Sequence, residues 1–231
     1  MFMGFPEETI RFFLDIRFHN EISYFKAHED VYRQYVKDPF FSFIEAMAPA
    51  MREIADDMET RPGKCLARIH RDTRFTKDKS PYRDHLWLLF RRAAEPRHLS
   101  VMYWFELSPE CAGWGVGLWG ENRPAMDALR RGMVHNPSKF LSVLEACRIP
   151  GDGLILEGDC FSRMKIPQEV PEKLVPYYPR KSLYVSRSSV PLSLAYTPEI
   201  INEVKKDYLR LKPMYELLRA AADEGMAQLD G

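Results

Sequence analysis

Three short apolar runs in the middle of the chain place the strongest limit on its fold. They are "HLWLLFRR" at 85–92, "HLSVMYWFEL" at 98–107 and "AGWGVGLWG" at 112–120. Each run is rich in aromatic and aliphatic residues and is bounded by polar or proline-containing turns, which is the pattern of strands. We therefore expect consecutive strands that pair in an antiparallel sheet.

Helical patterns precede these runs. The segment 20–36 places apolar residues at helical spacing, and Asn20 can cap its start by accepting a backbone N–H. The segment 37–58 repeats the pattern, with Asp38 as a cap and Pro39 at the first helical position, where its missing N–H costs nothing. The first sixty residues are therefore predicted to be helical.

Helices and strands also follow the apolar runs. We predict helices over 122–136 and 137–147, and strands within 153–158 and 181–189. A long helix is expected from Thr197, because its apolar residues keep helical phase through the last proline of the chain. The fold class is therefore α+β, with N-terminal helices, a mainly antiparallel central sheet and a long C-terminal helix. Since no repeat or linker is visible, a single domain over all 231 residues is expected.

Composition excludes several classes of protein. Lys plus Arg equals Asp plus Glu at 33 each, so a surface devoted to nucleic acid is not expected. The chain has no run of 18 apolar residues, so no membrane span is expected. The first residues carry acids where a signal peptide would carry bases, which favours a cytoplasmic protein.

The cysteines are scattered and form no C-x-x-C pair, which is typical of reduced thiols and not of zinc sites or a disulfide framework. They are Cys65, Cys111, Cys147 and Cys160. We expect no metal and no cofactor. The oligomeric state is left open.

A G-x-G-x-x-G pattern at 115–120 would, by itself, indicate a dinucleotide site. Here the glycines alternate with Trp114, Val116 and Leu118, which places them inside a strand and not in a turn that opens a helix. The alternation instead predicts a face of bare backbone that is approached closely, more often by a packed helix or an aromatic ring than by a ligand.

The run "RIHRDTRFTKDKSPYRDH" at 68–85 is locally basic, with six Lys or Arg against three Asp. Guanidinium groups bind phosphate or carboxylate in a two-point geometry, so an anion pocket would have this composition. If the run begins as a strand, alternate residues face opposite sides. One side would hold Arg68, His70, Asp72 and Arg74, and the other Ile69, Arg71, Thr73 and Phe75.

Our first hypothesis is a pocket that binds a phosphorylated metabolite or a nucleotide, with or without hydrolysis or transfer. Asn20 and His28 are weaker candidates for its opposite wall, and His70, Asp72 and Tyr82 are weak catalytic candidates. The predicted ligand-binding residues are Arg68, Arg71, Asp72, Arg74, Lys79 and Tyr82.

Two other hypotheses stay open. In the first, the same arginines and aspartates form a structural ion-pair network in a non-catalytic protein that acts through partner binding. In the second and least favoured, Trp104, Trp114 or Trp119 would stack on the bases of single-stranded RNA.

The charged run also carries a resemblance. It is similar to the R-x-x-R-D-x-R-F…D-K-x-x-Y motif of domain of unknown function 2461, a bacterial family with fungal members. The stretch at 19–32 and the proline-rich segment at 162–185 resemble the family more loosely, and His19 and Tyr24 stand where Asn and Trp are typical. The resemblance implies a shared fold and a shared functional or folding site, but no particular reaction. The matching positions are Arg68, Arg71, Asp72, Arg74, Phe75, Asp78, Lys79 and Tyr82.

Overall fold

The computed structural model describes residues 1–120 and 122–228. Five strands form an antiparallel sheet in the order β1-β2-β3-β5-β4, with helices before and after it in the chain. The α+β prediction is therefore confirmed. Within the described residues, no helix is both long enough and apolar enough to cross a membrane.

The N-terminal part is helical, as predicted. Its α-helices are separated by short non-helical segments or follow one another directly, and one turn of π-helix covers Arg33–Lys37. The α-helices are α1 (Glu7–Phe18), α2 (Ile22–Ala27), α3 (Glu29–Tyr32), α4 (Asp38–Ile54) and α5 (Pro62–Cys65). The prediction of Asp38 as a cap is wrong: the π turn runs directly into α4, so Asp38 has helical dihedral angles and is the first residue of α4, with Lys37 at the cap position.

The three central runs form strands, as predicted: β1 (Leu86–Phe90), β2 (Met102–Leu107) and β3 (Ala112–Leu118). The face of bare backbone on β3 is also present. A Cβ atom added at Gly117 would lie 2.4 Å from the Tyr184 Cα atom. The close approach predicted from the glycine alternation is thus made by another strand of the sheet.

The remaining elements follow in chain order. The predicted helix cap at Asn122 is present, because its side-chain oxygen accepts from the Ala125 N–H at 3.2 Å. The C-terminal helical run is interrupted at Leu211, just before Pro213, a residue that cannot donate a backbone hydrogen bond. The elements are α6 (Arg123–His135), α7 (Pro137–Cys147), β4 (Ile155–Glu157), a 3₁₀ turn (Glu172–Leu174), β5 (Leu183–Val190), α8 (Leu192–Ala195), α9 (Glu199–Arg210) and α10 (Lys212–Ala227).

The chain divides into two compact units. The first unit comprises Met1–Phe90, Trp104–Trp114 and Ser188–Lys206, and the second comprises the rest of the described chain. Aromatic rings fill the core of the first unit: Phe43 lies with its ring centroid 4.4 Å from that of Phe105. Buried tyrosines fill the core of the second.

The second unit contains a buried charge cluster. The Asp207 carboxylate of α9 is fully buried and accepts from Arg187 of β5 at 2.6 Å and from Arg210 at 3.2 Å. Arg210 also pairs with Asp152 at 2.9 Å. Each guanidinium fork therefore bonds a carboxylate that has almost no access to water.

Candidate functional site

The charged run folds back on itself next to β1. Leu66, just before the run, pairs with Leu88 of β1, and within the run His70 pairs with Tyr82, both as isolated antiparallel bridges. The Arg71 N–H donates to the Pro81 carbonyl at 2.8 Å and completes the second bridge. Beyond this point the chain leaves the ladder and forms a loop, 71–81.

Polar contacts inside this loop give it a defined shape. Asp78 accepts from the Ser80 N–H at 2.9 Å, from the Ser80 hydroxyl at 2.7 Å and from Arg71. These hydrogen bonds, from Ser80 first and then Arg71, hold the pKa of Asp78 well below its usual range. Lys79 donates to the Thr73 carbonyl at 2.8 Å and so ties the two sides of the loop together.

The tip of the loop points into solvent. Arg74 and Asp72 form a bidentate pair with N···O distances of 2.9 and 2.7 Å, and the Arg74 side chain is 76% exposed. The hydrogen bond from Arg74 lowers the pKa of Asp72 to about 2. Phe75 beside them is 90% exposed. This pair therefore stiffens the tip at the surface.

A polar pocket of about 390 Å³ lies at the base of the loop, within the first unit. Its lining combines three guanidinium groups, two carboxylates, an imidazole and three further polar side chains. The lining residues are Arg17, Asn20, Arg71, Asp78, Ser80, Tyr82, Arg83, Asp84 and His85. The pocket is therefore lined by more cationic than anionic side chains, and by several neutral side chains that can form hydrogen bonds.

Asn20 joins the N-terminal helices to the loop. Its amide accepts from the Tyr82 N–H at 2.9 Å and donates to the Tyr82 carbonyl at 3.0 Å. The Tyr82 ring stacks on Phe25 with centroids 4.3 Å apart, and burial raises the pKa of Tyr82. One wall of the pocket is therefore fixed by two hydrogen bonds and a stacked ring.

A chain of charged contacts forms another wall. Arg17 Nε donates to Asp84 Oδ2 at 2.5 Å, and Arg17 Nη1 donates to Glu110 at 2.7 Å. The other Asp84 oxygen lies 2.9 Å from His85 Nδ1. Burial alone would raise the pKa of Asp84, but the hydrogen bonds from His85 and Arg17 outweigh it and lower that pKa. Asp84 is therefore ionised and held from two sides.

Arg83 and His85 are positioned by a shared aromatic neighbour. The Arg83 guanidinium lies 4.8 Å from the Trp87 ring centroid, and the His85 ring stacks on the same residue at 5.6 Å. Arg83 also donates to the main-chain carbonyls of Arg68, at 2.8 Å, and His70. These contacts fix the direction of both side chains without closing the pocket.

The structure brings together only part of the predicted site. Arg71 and Tyr82 line the pocket with Asn20, whereas His28 lies outside it, stacked on Tyr24 at 4.1 Å. Four predicted ligand-binding residues do not line this pocket: Arg68, Asp72, Arg74 and Lys79. Of the predicted catalytic residues, only Tyr82 does so. Within the part of the chain that the structure describes, no hydrogen bond joins His70 to Asp72.

Sequence reasoning missed six lining residues, of which Asp78 and Ser80 lie inside the charged run between predicted residues. Three of them, Arg83, Asp84 and His85, end the charged run, and their adjacency to Tyr82 was the available signal. Arg17 carries no such signal, because it lies on α1 and meets Asp84 only through the tertiary fold. Over residues 1–120 and 122–228, no group of three His, Cys, Asp or Glu side chains is arranged to hold a metal ion.

The RNA-binding hypothesis depends on the placement of three tryptophans. Trp114 is fully buried in β3 and has no face open to a nucleotide base, whereas Trp119 is 57% exposed. Both belong to runs far from the loop in sequence, and neither lines the polar pocket.

Comparison with known proteins gives one assignment. No curated protein matches the chain. A family described as conserved hypothetical proteins, domain of unknown function 2461, matches residues 8–217. This match includes the whole charged run and every residue that lines the pocket, and it confirms the resemblance seen in the motif. The chain therefore belongs to the family of conserved hypothetical proteins called domain of unknown function 2461.

Proposed function

We propose that the polar pocket binds the anionic group of a small ligand, with phosphate as the favoured group. The observation that carries the proposal is the convergence of Arg17, Arg71 and Arg83 on one pocket of about 390 Å³. Small-molecule pockets commonly measure about 300–1,000 Å³, so a sugar phosphate or a mononucleotide is of suitable size. Asn20 and Ser80 add neutral donors to the same lining.

Arg71 is the guanidinium best placed to receive the ligand. Its present partner, Asp78, has a side chain 57% exposed, and an exposed ion pair contributes little to stability because solvent screens it. A phosphate that replaces Asp78 as the partner of Arg71 therefore breaks an ion pair that contributes little free energy. Asp78 would keep its two hydrogen bonds from Ser80 after the exchange.

Thermal unfolding tests the proposal. We expect phosphate, sulfate, AMP or glucose 6-phosphate to raise the melting temperature at constant ionic strength. A ligand at a hundred times its Kd adds about 2.7 kcal/mol of stability, which corresponds to a shift of about 5–10 °C for a chain of this length. Arg71→Ala should abolish the shift, because the pocket then loses its exchangeable guanidinium.

Arg74→Ala is the matched control, since it removes a guanidinium from the same loop but not from the pocket lining. Its ligand-induced shift should equal that of the wild type. A wild-type protein that no anion stabilises, or a shift lost equally in both variants, would contradict the proposed site.

The structural ion-pair network is the second candidate, favoured by the pairing of Arg71 and Arg74 with aspartates of their own loop. The variant Asp78→Ala distinguishes the anion-binding pocket from the structural ion-pair network. If the pocket binds phosphate, removing this competing carboxylate should tighten binding about fivefold, because Arg71 is then free of its competing partner. Calorimetric titration with inorganic phosphate measures the change.

A purely structural loop predicts a different result for Asp78→Ala. Phosphate binding would not change, and trypsin would cut at Lys77 or Lys79 faster, because Ser80 and Arg71 lose the acceptor that holds the loop. The variant Asp72→Ala is the control, since Asp72 braces the tip but does not line the pocket.

The cellular setting remains part of the proposal. All four cysteines of the described chain are unbonded to one another, which fits the reducing cytoplasm. We propose the cytoplasm as the place where the ligand is bound, and a phosphorylated metabolite or nucleotide as that ligand.

A further inference from the structure

We propose that the pocket is the active site of a phosphate-ester hydrolase in which His85 is the general base. The inference rests on the proposed function, because it requires the anionic group of a substrate to bind beside the arginines. It names His85, the last residue of the charged run, which lies outside the positions that match the family motif. The evidence is the arrangement of Asp84, His85 and Arg17 in the pocket wall.

The contact between Asp84 and His85 determines which ring nitrogen can act as a base. Asp84 Oδ1 lies 2.9 Å from His85 Nδ1, and an ionised carboxylate can only accept a hydrogen bond. Nδ1 therefore carries the proton in the neutral ring, and Nε2 keeps its lone pair. This is the tautomer that a general base requires, and it is the role of the carboxylate in a hydrolytic triad.

Further contacts orient the pair. Arg17 holds the second Asp84 oxygen at 2.5 Å, and Glu110 accepts from the same guanidinium at 2.7 Å. Stacking on Trp87 restricts the plane of the imidazole. The His85 and Asp84 side chains are 36% and 29% exposed, so a substrate and a water molecule can reach the ring while its position stays fixed.

Charged groups for the substrate line the same pocket. Arg71 can offer N–H donors to phosphate oxygens in exchange for Asp78, and the positive charge of Arg83 lies in the same lining, so both would stabilise the charge that these oxygens carry during the reaction. Glu106 of β2 is a further acid in the surroundings of the ring: burial raises its pKa, and His85 acts in the opposite direction. The anion-binding groups and the base thus share one polar cavity.

The proposed step is hydrolysis by water. His85 Nε2 takes a proton from a water molecule as its oxygen forms a bond to phosphorus. The bond from phosphorus to the ester oxygen breaks, and its electron pair stays on the leaving oxygen. The leaving oxygen lies on the opposite side of phosphorus and takes a proton from solvent, while the imidazolium returns its proton to solvent, so His85 becomes neutral again. The products are an alcohol and the hydrolysed phosphate, which is inorganic phosphate when the substrate is a monoester. No oxidant or reductant is needed.

His85→Asn is the decisive variant, because its side-chain amide can still donate to Asp84 but offers no basic nitrogen at the position of Nε2. With p-nitrophenyl phosphate and bis(p-nitrophenyl) phosphate as probes, we expect wild type to hydrolyse at least one. For that probe kcat should fall about 100-fold or more in the variant, the usual contribution of a general base. Its Kd for inorganic phosphate should stay within about twofold.

His98→Asn is the matched control, since His98 is exposed and does not line the pocket, and it should keep the wild-type rate. Should His85→Asn fail to fold, Asp84→Asn replaces it and should also lower kcat, because an amide no longer selects the tautomer. Wild type that binds phosphate but hydrolyses neither ester overturns the hydrolase inference and leaves the binding proposal standing. Wild type that binds no phosphate overturns both, and an unchanged kcat in His85→Asn rejects His85 as the base.

Discussion

Replacing Asp207 by alanine should lower the free energy of unfolding by about 3 kcal/mol, because removing one member of a buried ion pair is strongly destabilising. Asp207 is fully buried, and the Arg187 and Arg210 side chains that bond it are only 25% and 16% exposed. For a chain of this length the melting temperature should fall by about 6–12 °C.

Asp223→Ala is the matched control for this prediction. It removes a carboxylate from the same unit, but Asp223 lies on the surface of α10 and contacts Arg219 only at 3.7 Å. Exposed pairs four residues apart on a helix contribute about 0.3–0.5 kcal/mol, so its melting temperature should fall by about 1–2 °C. Equal losses in the two variants, measured by thermal and urea unfolding, would show that the buried cluster has no special role in stability.

The helices and strands could be predicted from sequence where a local rule was sufficient. Trp114, Val116 and Leu118 alternate with glycines, and the segment is a strand whose residues are all buried. Asn122 precedes a helical pattern, and its side chain caps the helix through Ala125. In both cases the residues that determine the local structure lie within a few positions of the strand or helix they determine.

Local rules failed where the neighbouring chain determined the result. Asp38 and Pro39 form a typical start of a helix, yet helical structure already runs through the preceding π turn. The alternation of side chains in the charged run holds only up to the bridge between His70 and Tyr82. After the bridge no ladder enforces alternation, so Arg71 lines the pocket while Arg74 points to solvent.

The pocket itself could be predicted only in part. Arg71 and Tyr82 belong to a segment with many charged residues, and this composition was sufficient to predict them as ligand-binding residues. Arg17 lies 67 residues from Asp84 in sequence, and nothing in its surroundings on α1 distinguishes it from an ordinary surface arginine. A contact of this separation depends on how the helices pack against the sheet, which a pattern of residue types does not encode.

Gly117→Ala should lower the free energy of unfolding by about 3 kcal/mol, since added volume in a packed core costs about 1–3 kcal/mol or more. The new Cβ would lie 2.4 Å from both the Cα and the Cβ of Tyr184, and 2.5 Å from the Leu183 carbonyl oxygen. Two of these are backbone atoms of the neighbouring strand and cannot rotate away.

Gly132→Ala is the matched control, because Gly132 lies in α6 with no atom within 4 Å of the added Cβ. Alanine at this position should raise the free energy of unfolding by about 0.5–1 kcal/mol. Urea unfolding of the two variants measures both effects, and a Gly117→Ala protein as stable as wild type would show that β3 and β5 do not pack as closely as this contact requires.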